Sequence, residues 1–518
     1  MKKREKFLLI YPALGMSGTF VRHVPIGLLY AAIGLVQKKY DVEIFDCRLY
    51  PQNWREILQS KLSEIAKNIL AVGVSVMSGT PIKSAIEIGR MVKSIDPEII
   101  NIWGGPHATF FPESILENNW YCDIVVSKNA VSSFQQLATA LLENSCYSNI
   151  PGIFYKHMTS KEIRSTPADC STFEFYDYRE IPYHLISDYS LYGQLDQKDK
   201  IIFPMYSALG CPYRCSFCSS PAEYNQIVGP KWVPLPVKEV VDHIAYVVRK
   251  YRANYIYFID NDSFVDLKHV EAIMDEIERQ GIRVKLGFRG ARINEIKKMT
   301  HEFIEKLSRC GTDILHIGAE SGSDRILDLI KKNCTVDDII ECNRKLAQHT
   351  KIIAAYNFIM GVPTETYEDL VATKDLMLKL IRENPQCLIF TPNKFRPLPG
   401  TELFSLVVNT WGYKSPQTLE EWVQVEAEGD YSDLWYTQKM KRYCDLLLIG
   451  SYFIDKKIFK VTSGGSLFYR LLRLIARIYY PIIFLRMYFS IDCFFIEHKM
   501  YKLIKELMPR FTSIKGNT

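Results

Sequence analysis

The stretch Gly210-Cys211-Pro212-Tyr213-Arg214-Cys215-Ser216-Phe217-Cys218 decides the reading of this chain, because it packs three cysteines into one loop between the apolar run Ile201–Leu209 and the turn-forming Ser219-Ser220-Pro221. Thiolates are soft ligands suited to iron–sulfur clusters or zinc, and this spacing lets one loop wrap a compact metal centre. Zinc needs a fourth ligand, commonly from a second Cys or His pair. The sequence holds no second Cys-x-x-Cys and no nearby His pair at ligand spacing. An iron–sulfur cluster held by three cysteines leaves one iron open for chemistry. The competing readings are a zinc site, a Cys215–Cys218 redox pair, and buried thiols that hold nothing.

A chain of 518 residues has room for about three or four domains. Its thirteen cysteines are odd in number and follow no small-domain disulfide framework, which points to a reducing compartment and a cytoplasmic location. The basic start Met1–Lys6 and the apolar Phe7–Tyr11 could pass for a signal peptide, but the run is short and meets Pro12. A first buried strand is the better reading. No stretch approaches the roughly 18 uninterrupted apolar residues of a membrane span. The net charge of +6 is spread along the chain, so no nucleic-acid partner is expected.

Residues 1–148 alternate strands at Phe7–Tyr11, Asp41–Asp46, Leu70–Val76 and Ile99–Trp103 with helices at Ile26–Val36, Trp54–Lys67 and Pro81–Ser94. That alternation predicts a doubly wound parallel sheet, Rossmann-like, with its ligand beyond the carboxyl ends of the strands. Two strand-end loops stand out there: Ser75-Val76-Met77-Ser78-Gly79-Thr80 and Gly104-Gly105-Pro106-His107-Ala108-Thr109. Adjacent glycines let a ligand approach the backbone, although an ordinary strand-to-helix turn would look the same. Residues 149–200 read as a linker. From Ile201 the alternation resumes, with strands at Ile201–Leu209, Tyr255–Ile259, Val284–Phe288, Ile314–Ile317, Ile353–Met360 and Leu388–Phe395. These are six strand–helix steps over residues 201–404, including a helix expected over Ile293–Cys310. Residues 405–518 read as a mainly helical C-terminal cap. Its tail, Ser466–Leu507, spaces Arg470, Arg473 and Arg477 along one helical face. That pattern fits either a cap packed on the barrel or peripheral contact with a membrane surface.

The three-cysteine loop, with aromatic Phe217 before the last Cys, resembles the signature of the radical S-adenosylmethionine (SAM) enzymes. The resemblance implies a partial (β/α)6 barrel in which Cys211, Cys215 and Cys218 hold a four-iron four-sulfur cluster and SAM chelates the open iron. It also implies SAM contacts from Phe217, from Asp260 and Asp262 after the second strand, and from Arg292 after the third, where Arg289 offers a second charge for the SAM carboxylate. Glu320 and Ser321 after the fourth strand, and Gly361 after the fifth, complete the implied set.

With that signature behind it, the first domain resembles the cobalamin-binding domain of one radical SAM subgroup that includes C-methyltransferases and anaerobic magnesium-protoporphyrin monomethyl ester cyclases. Ser75, Met77, Ser78, Gly104, Gly105, Pro106 and His107 are then the expected corrin contacts. There are two departures: no Asp-x-His-x-x-Gly triplet supplies a lower cobalt ligand, and Ser127-Lys128-Asn129-Ala130 stands where relatives carry an acidic Gly-Glu loop. The implied reaction is methylation of an unactivated carbon through a 5'-deoxyadenosyl radical and methylcobalamin, consuming SAM for both purposes. An external electron donor such as flavodoxin or ferredoxin and a small-molecule substrate follow from the same resemblance. The alternatives are a cyclase, ring-rearranging or oxidative enzyme of tetrapyrrole or natural-product biosynthesis, and a non-catalytic cobalamin sensor. A sensor would have no use for an open iron.

Overall fold

The computed structural model describes residues 4–14, 21–117, 119–128, 130–157, 160, 162–168, 172–194, 200–349, 351–425, 434–455 and 467–493. Phe7, Leu8, Leu9 and Ile10 are each at most 1% exposed, as expected of a strand covered on both faces. This strand, β1 (Lys6–Tyr11), lies between β2 (Asp41–Asp46) and β3 (Ile69–Ser75), and the sheet continues through β4 (Ile100–Gly104) to β5 (Ile124–Val126). All of these pairs are parallel. The order β2-β1-β3-β4-β5 reverses direction between β1 and β3, which opens a crevice at their carboxyl ends.

Part of the stretch read as a linker belongs to this sheet. β6 (Ile153–Lys156) and β7 (Ile163–Ser165) add to β5 as antiparallel strands. They are short and half exposed, and their partner is non-local, so the residues carry little pattern of their own.

The second sheet runs β8 (Ile202–Met205), β9 (Tyr255–Phe258), β10 (Lys285–Arg292), β11 (Thr312–Glu320), β12 (Ile353–Met360) and β13 (Cys387–Ile389), in chain order and all parallel. Its outer face is dry: Phe258, Leu315, Ile317, Tyr356 and Ile389 are fully buried, and Phe288 nearly so, against the helices. The helix expected over Ile293–Cys310 is two, Ile293–Lys298 and His301–Arg309. Thr300 causes the break, since its hydroxyl accepts the Phe303 N–H at 3.1 Å and starts a new helix.

The two sheets are joined through apolar side chains. Helix α1 (Ile26–Gln37) of the first domain sends Leu29 and Ile33 into the core that also holds Phe203, Tyr183 and Tyr189. The C-terminal segment is not only a barrel cap. Helix α3 (Leu419–Val423) buries Leu419 and Trp422 in the core of the first domain, against helix α2 (Thr80–Ile95). Helix α4 (Gln438–Ile454) packs on the barrel helix Tyr367–Glu383, and α5 (Leu467–Phe489) packs on α4 through Ile483 and Met487. Arg470 and Arg477 are exposed and Arg473 half exposed, beside the exposed Leu471, Leu474 and Ile478. The end of the basic tail, from residue 494, lies outside the described residues. No helix among the described residues is long and apolar enough to cross a membrane.

Trp422 is 1% exposed, so Trp422→Ala should lower the stability of the first domain by about 3–5 kcal/mol. Urea unfolding followed by circular dichroism measures this, and an unshifted midpoint would mean that α3 does not dock there.

Candidate active site

The cysteine loop follows β8 and is fastened through Ser216. The Ser216 N–H donates to Ile330 O at 3.1 Å and its hydroxyl to Leu329 O at 2.9 Å, while Leu403 N–H donates to Ser216 O at 3.0 Å. Cys215 is buried, and Cys211 and Cys218 are half exposed. Burial pushes the Cys211 thiol up to about 12. Among the described residues no three Cys, His, Asp or Glu side chains converge as they would around a single metal ion, and every cysteine there is free. Three thiols offered by one open loop fit a larger polynuclear cluster better than a closed tetrahedral zinc site.

Charge compensation for such thiolates is already in place. The Arg292 guanidinium donates from Nη1 to Cys215 Sγ at 3.0 Å and from Nη2 to Lys332 O at 2.8 Å, with its face over the Tyr213 ring at 3.9 Å. Arg292 Nε is buried without a partner. Lys332 Nζ donates to Glu320 Oε1 at 2.7 Å, and both residues are buried. Burial works against the Lys332 ammonium and Glu320 outweighs it, so its pKa stays above the usual lysine value. Glu320 reaches this position from a left-handed backbone conformation, φ 67°, after a register shift between β11 and β12. Asp262 lies within electrostatic reach of Cys211, Arg292, Glu295 and Lys332. Phe217 is half buried beside the barrel core.

Three residues expected to touch SAM have hydrogen-bond partners within the protein. Asp260 accepts from Ser207 N–H at 2.8 Å, Ser207 Oγ at 2.6 Å and Ala208 N–H at 3.3 Å, and is 1% exposed. Burial raises its carboxyl to about 6. It fastens the end of β8 to β9 and presents no oxygen to a ligand. Ser321 is fully buried, with its hydroxyl between Thr373 Oγ1 at 3.3 Å and Ser323 N–H at 3.2 Å. The Gly361 N–H donates to both Glu365 Oε2 and Tyr436 OH at 2.8 Å, and its carbonyl accepts from Trp435 Nε1 at 3.1 Å. Two of these partners come from the C-terminal region, which sequence spacing could not connect to Gly361.

In the first domain, the crevice at the carboxyl ends of β1 and β3 is bordered by Tyr11, Ser75, Met77, Ser78 and Gly104–Pro106. Met77 is 43% exposed, a large apolar side chain at an open mouth. Gly105 has φ 94°, and a Cβ there would stand 2.9 Å from Val76 N, so only glycine fits beside β3. Gly104 has room, its nearest neighbour being Val126 O at 3.6 Å. His107 does not face the mouth. It is fully buried, with its ring 5.0 Å from Phe111 and 5.5 Å from Trp422 and its Nδ1 2.9 Å from Ser78 Oγ. Burial lowers its pKa to about 3, so the neutral ring orients Ser78 rather than meeting a ligand. In the region of the missing acidic loop, Ser127 is tied by its N–H to Gly152 O at 2.9 Å. These features suit a flat cofactor lying across an apolar, glycine-edged shelf.

Of the inner face of the barrel, sequence singled out only Arg289, as a second charge for the SAM carboxylate, and not the rings around it. Tyr257, His316, Asn357 and Phe390 are half buried and Arg289 is exposed, although their outward neighbours on the strands are dry. His23, from the segment after β1, stacks on Tyr257 at 5.3 Å and 4°, and His316 stacks on Phe390 at 4.9 Å and 22°. The alternation Tyr255-Ile256-Tyr257-Phe258 carried a partial signal of an inner aromatic face.

The chain matches the Radical SAM superfamily over residues 205–377 and the B12 binding domain over residues 19–138. An uncharacterized methyltransferase of Pyrococcus horikoshii is 27% identical over 420 residues, covering 78% of this chain and 84% of the relative. The anaerobic magnesium-protoporphyrin IX monomethyl ester cyclase of Rubrivivax gelatinosus is 25% identical over 324 residues, 61% of this chain and 54% of that enzyme. Among solved structures, the cobalamin-dependent S-adenosylmethionine radical enzyme OxsB, with aqua-cobalamin and S-adenosylmethionine bound, superposes with a TM-score of 0.70 at 15% identity over 98% of this chain and 76% of OxsB. The chain thus joins a B12-binding domain to a radical SAM domain, and its cofactors are a four-iron four-sulfur cluster, SAM and cobalamin.

Glu365 is 3% exposed and accepts from Gly361, Val362 and Tyr436, and burial raises its carboxyl to about 7. A raised acid holds its proton in the folded state after the unfolded chain has lost it, so stability falls as pH rises from about 4.5 through about 7. Glu365→Gln should therefore be more thermostable than wild type at pH 8 by a few degrees and show a smaller difference at pH 5. A pH-independent difference would contradict the buried, proton-retaining carboxyl.

Proposed function

We propose that this radical SAM enzyme with a B12-binding domain is a C-methyltransferase, moving a methyl group from SAM by way of cobalamin to an unactivated carbon of a small molecule held in the barrel lumen. The observation that carries the reading is the contact of His23 with Tyr257. A residue of the first domain stacks on a residue of the barrel's inner face, which supports a reading in which the two cofactor sites share one chamber.

When bound, SAM at the cluster supplies the radical that removes a substrate hydrogen, and cobalamin supplies the methyl group. In this reading Cys211, Cys215 and Cys218 are the cluster ligands. Arg292 and Lys332 offset their charge, which stabilises thiolates in a buried site. Asp262, 1% exposed and accepting from the Phe264 N–H at 3.1 Å, is the carboxylate this reading assigns to the SAM ammonium group, with Phe217 and Glu320 assigned to the same ligand. Ser75, Met77, Ser78 and Gly104–Pro106 cradle the corrin, with His107 acting through Ser78. The rings of the lumen exclude water from the reacting carbon. An external flavodoxin- or ferredoxin-type donor would supply electrons. The cyclase relative favours a second reading, oxidative ring formation on the same scaffold.

Methyl-labelled SAM separates the two without a known substrate. Under strong reductant the methyltransferase reading expects label on the protein-bound cobalamin together with 5'-deoxyadenosine in solution. Formation of 5'-deoxyadenosine with no label on cobalamin would favour the cyclase reading. Replacing Cys211, Cys215 or Cys218 singly by Ala should abolish 5'-deoxyadenosine formation and reduce reconstituted iron to near background, while full iron in any of these variants would remove that cysteine from the ligand set.

A further inference from the structure

Arg289 occupies an unusual position. It sits in β10 between Phe288, which is 3% exposed, and Ala291, which is 2% exposed, yet Arg289 itself is exposed. The register explains this. Phe288 pairs with Leu315 and Ala291 with Ile317, so β10 carries one extra residue over Arg289–Gly290. A β-bulge of this kind re-aims a side chain. Gly290 makes it feasible, because a Cβ there would lie 2.8 Å from Asn261 O and from Asp262 Cα. Among the described residues no hydrogen bond or ion pair reaches the Arg289 guanidinium.

The surroundings of Arg289 differ from those of Arg292. Arg292 is bound to Cys215 and belongs to the cluster loop. The charge of Arg289 instead acts on His23, Tyr206, Tyr257 and His316. Three of these join into one wall: His23 stacks on Tyr257, Tyr257 meets His316 edge-on at 5.5 Å, and His316 stacks on Phe390. Burial lowers both histidines to about 4, with Arg48 and then Arg289 adding to it at His23 and Arg289 adding to it at His316, so both rings are neutral at neutral pH; Arg48 itself is paired with Asp46. The carboxyls that also act on Tyr206 are Asp260, fully engaged by Ser207 and Ala208, and Glu223, whose pKa burial raises.

We propose that Arg289 anchors the carboxylate of the substrate, whose flat unsaturated body lies against the rings of His23, Tyr257, His316 and Phe390. One guanidinium beside two neutral imidazoles suits a monoanion, and a planar fork pairs bidentately with a carboxylate. The ring wall gives an extended apolar surface for an unsaturated body. The inference rests on the reading of the lumen as the substrate chamber, and it names the substrate class.

The test uses the full chain with reconstituted cluster and two fluorescent probes, anthracene-9-carboxylate and the neutral 9-anthracenemethanol, together with SAM binding by equilibrium dialysis. Wild type should bind the carboxylate at least tenfold more tightly than the alcohol. In Arg289→Gln that preference should vanish, with alcohol and SAM affinities within about twofold of wild type, which also shows that the variant is folded. Equal binding of the two probes to wild type would overturn the inference. Loss of SAM binding in Arg289→Gln would also overturn it, by assigning the guanidinium to the SAM carboxylate. Label transfer from SAM to cobalamin in the same preparation keeps the two readings separable. Its failure with probe preference intact sinks methyl transfer alone, and its success with no preference sinks this inference alone.

Discussion

The contact between the Arg292 guanidinium and Cys215 Sγ is the constraint on which the rest of the barrel site depends. A thiolate in a buried loop is costly unless a positive charge stands beside it, and a buried guanidinium is costly unless it is paired. Each therefore makes the other tenable. The same guanidinium binds Lys332 O, and Lys332 binds Glu320, so one buried chain of charges joins the cysteine loop to the ends of β10 and β11. Tyr213, on the loop itself, closes this arrangement from the other side by covering the Arg292 face and donating to Glu295.

The second constraint is placement of the first domain. Its crevice lies where the strand order reverses, and α1 fixes it to the barrel through Leu29 and Ile33. Helix α3 reaches back from the far end of the chain and buries Trp422 over His107, while Val425 O stands 2.6 Å from where a Gly79 Cβ would be. The C-terminal region thereby closes one side of the crevice as well as one side of the barrel, where Tyr436 and Trp435 engage Gly361. One segment therefore packs against both domains.

The parts legible in the sequence are those fixed by local pattern. Continuous apolar runs such as Phe7–Ile10 announce strands buried on both faces, and the cysteine spacing announces a cluster loop. The rest depends on partners distant in sequence. The edge strands β6 and β7 are too short to declare themselves without β5. Asp260, Ser321 and Gly361 sit at strand ends as a ligand contact would, and only the fold shows that Ser207, Thr373 and Tyr436 already hold them. His107 has the position of a ligand contact but is covered by Trp422, more than three hundred residues later in the chain. The lumen rings were hidden for a related reason, and Arg289, legible as a strand-end charge, could not be aimed from sequence, since a bulge set by the pairing of β10 with β11 decides where that side chain points.

The central claim is that the first-domain shelf and the cluster loop serve one chamber, each loaded with its own cofactor. It is tested most directly by counting cobalamin and iron per chain after anaerobic purification and cluster reconstitution, in wild type and in Gly104→Trp. Gly104 is the informative position, because its backbone is outside the left-handed region and a Cβ there meets nothing closer than Val126 O at 3.6 Å, and equal iron content reports that the variant is folded. The account predicts about one cobalamin per wild-type chain, near none in the variant, and the same iron content in both. An intact cluster with no cobalamin in wild type, or full cobalamin in Gly104→Trp, would contradict it.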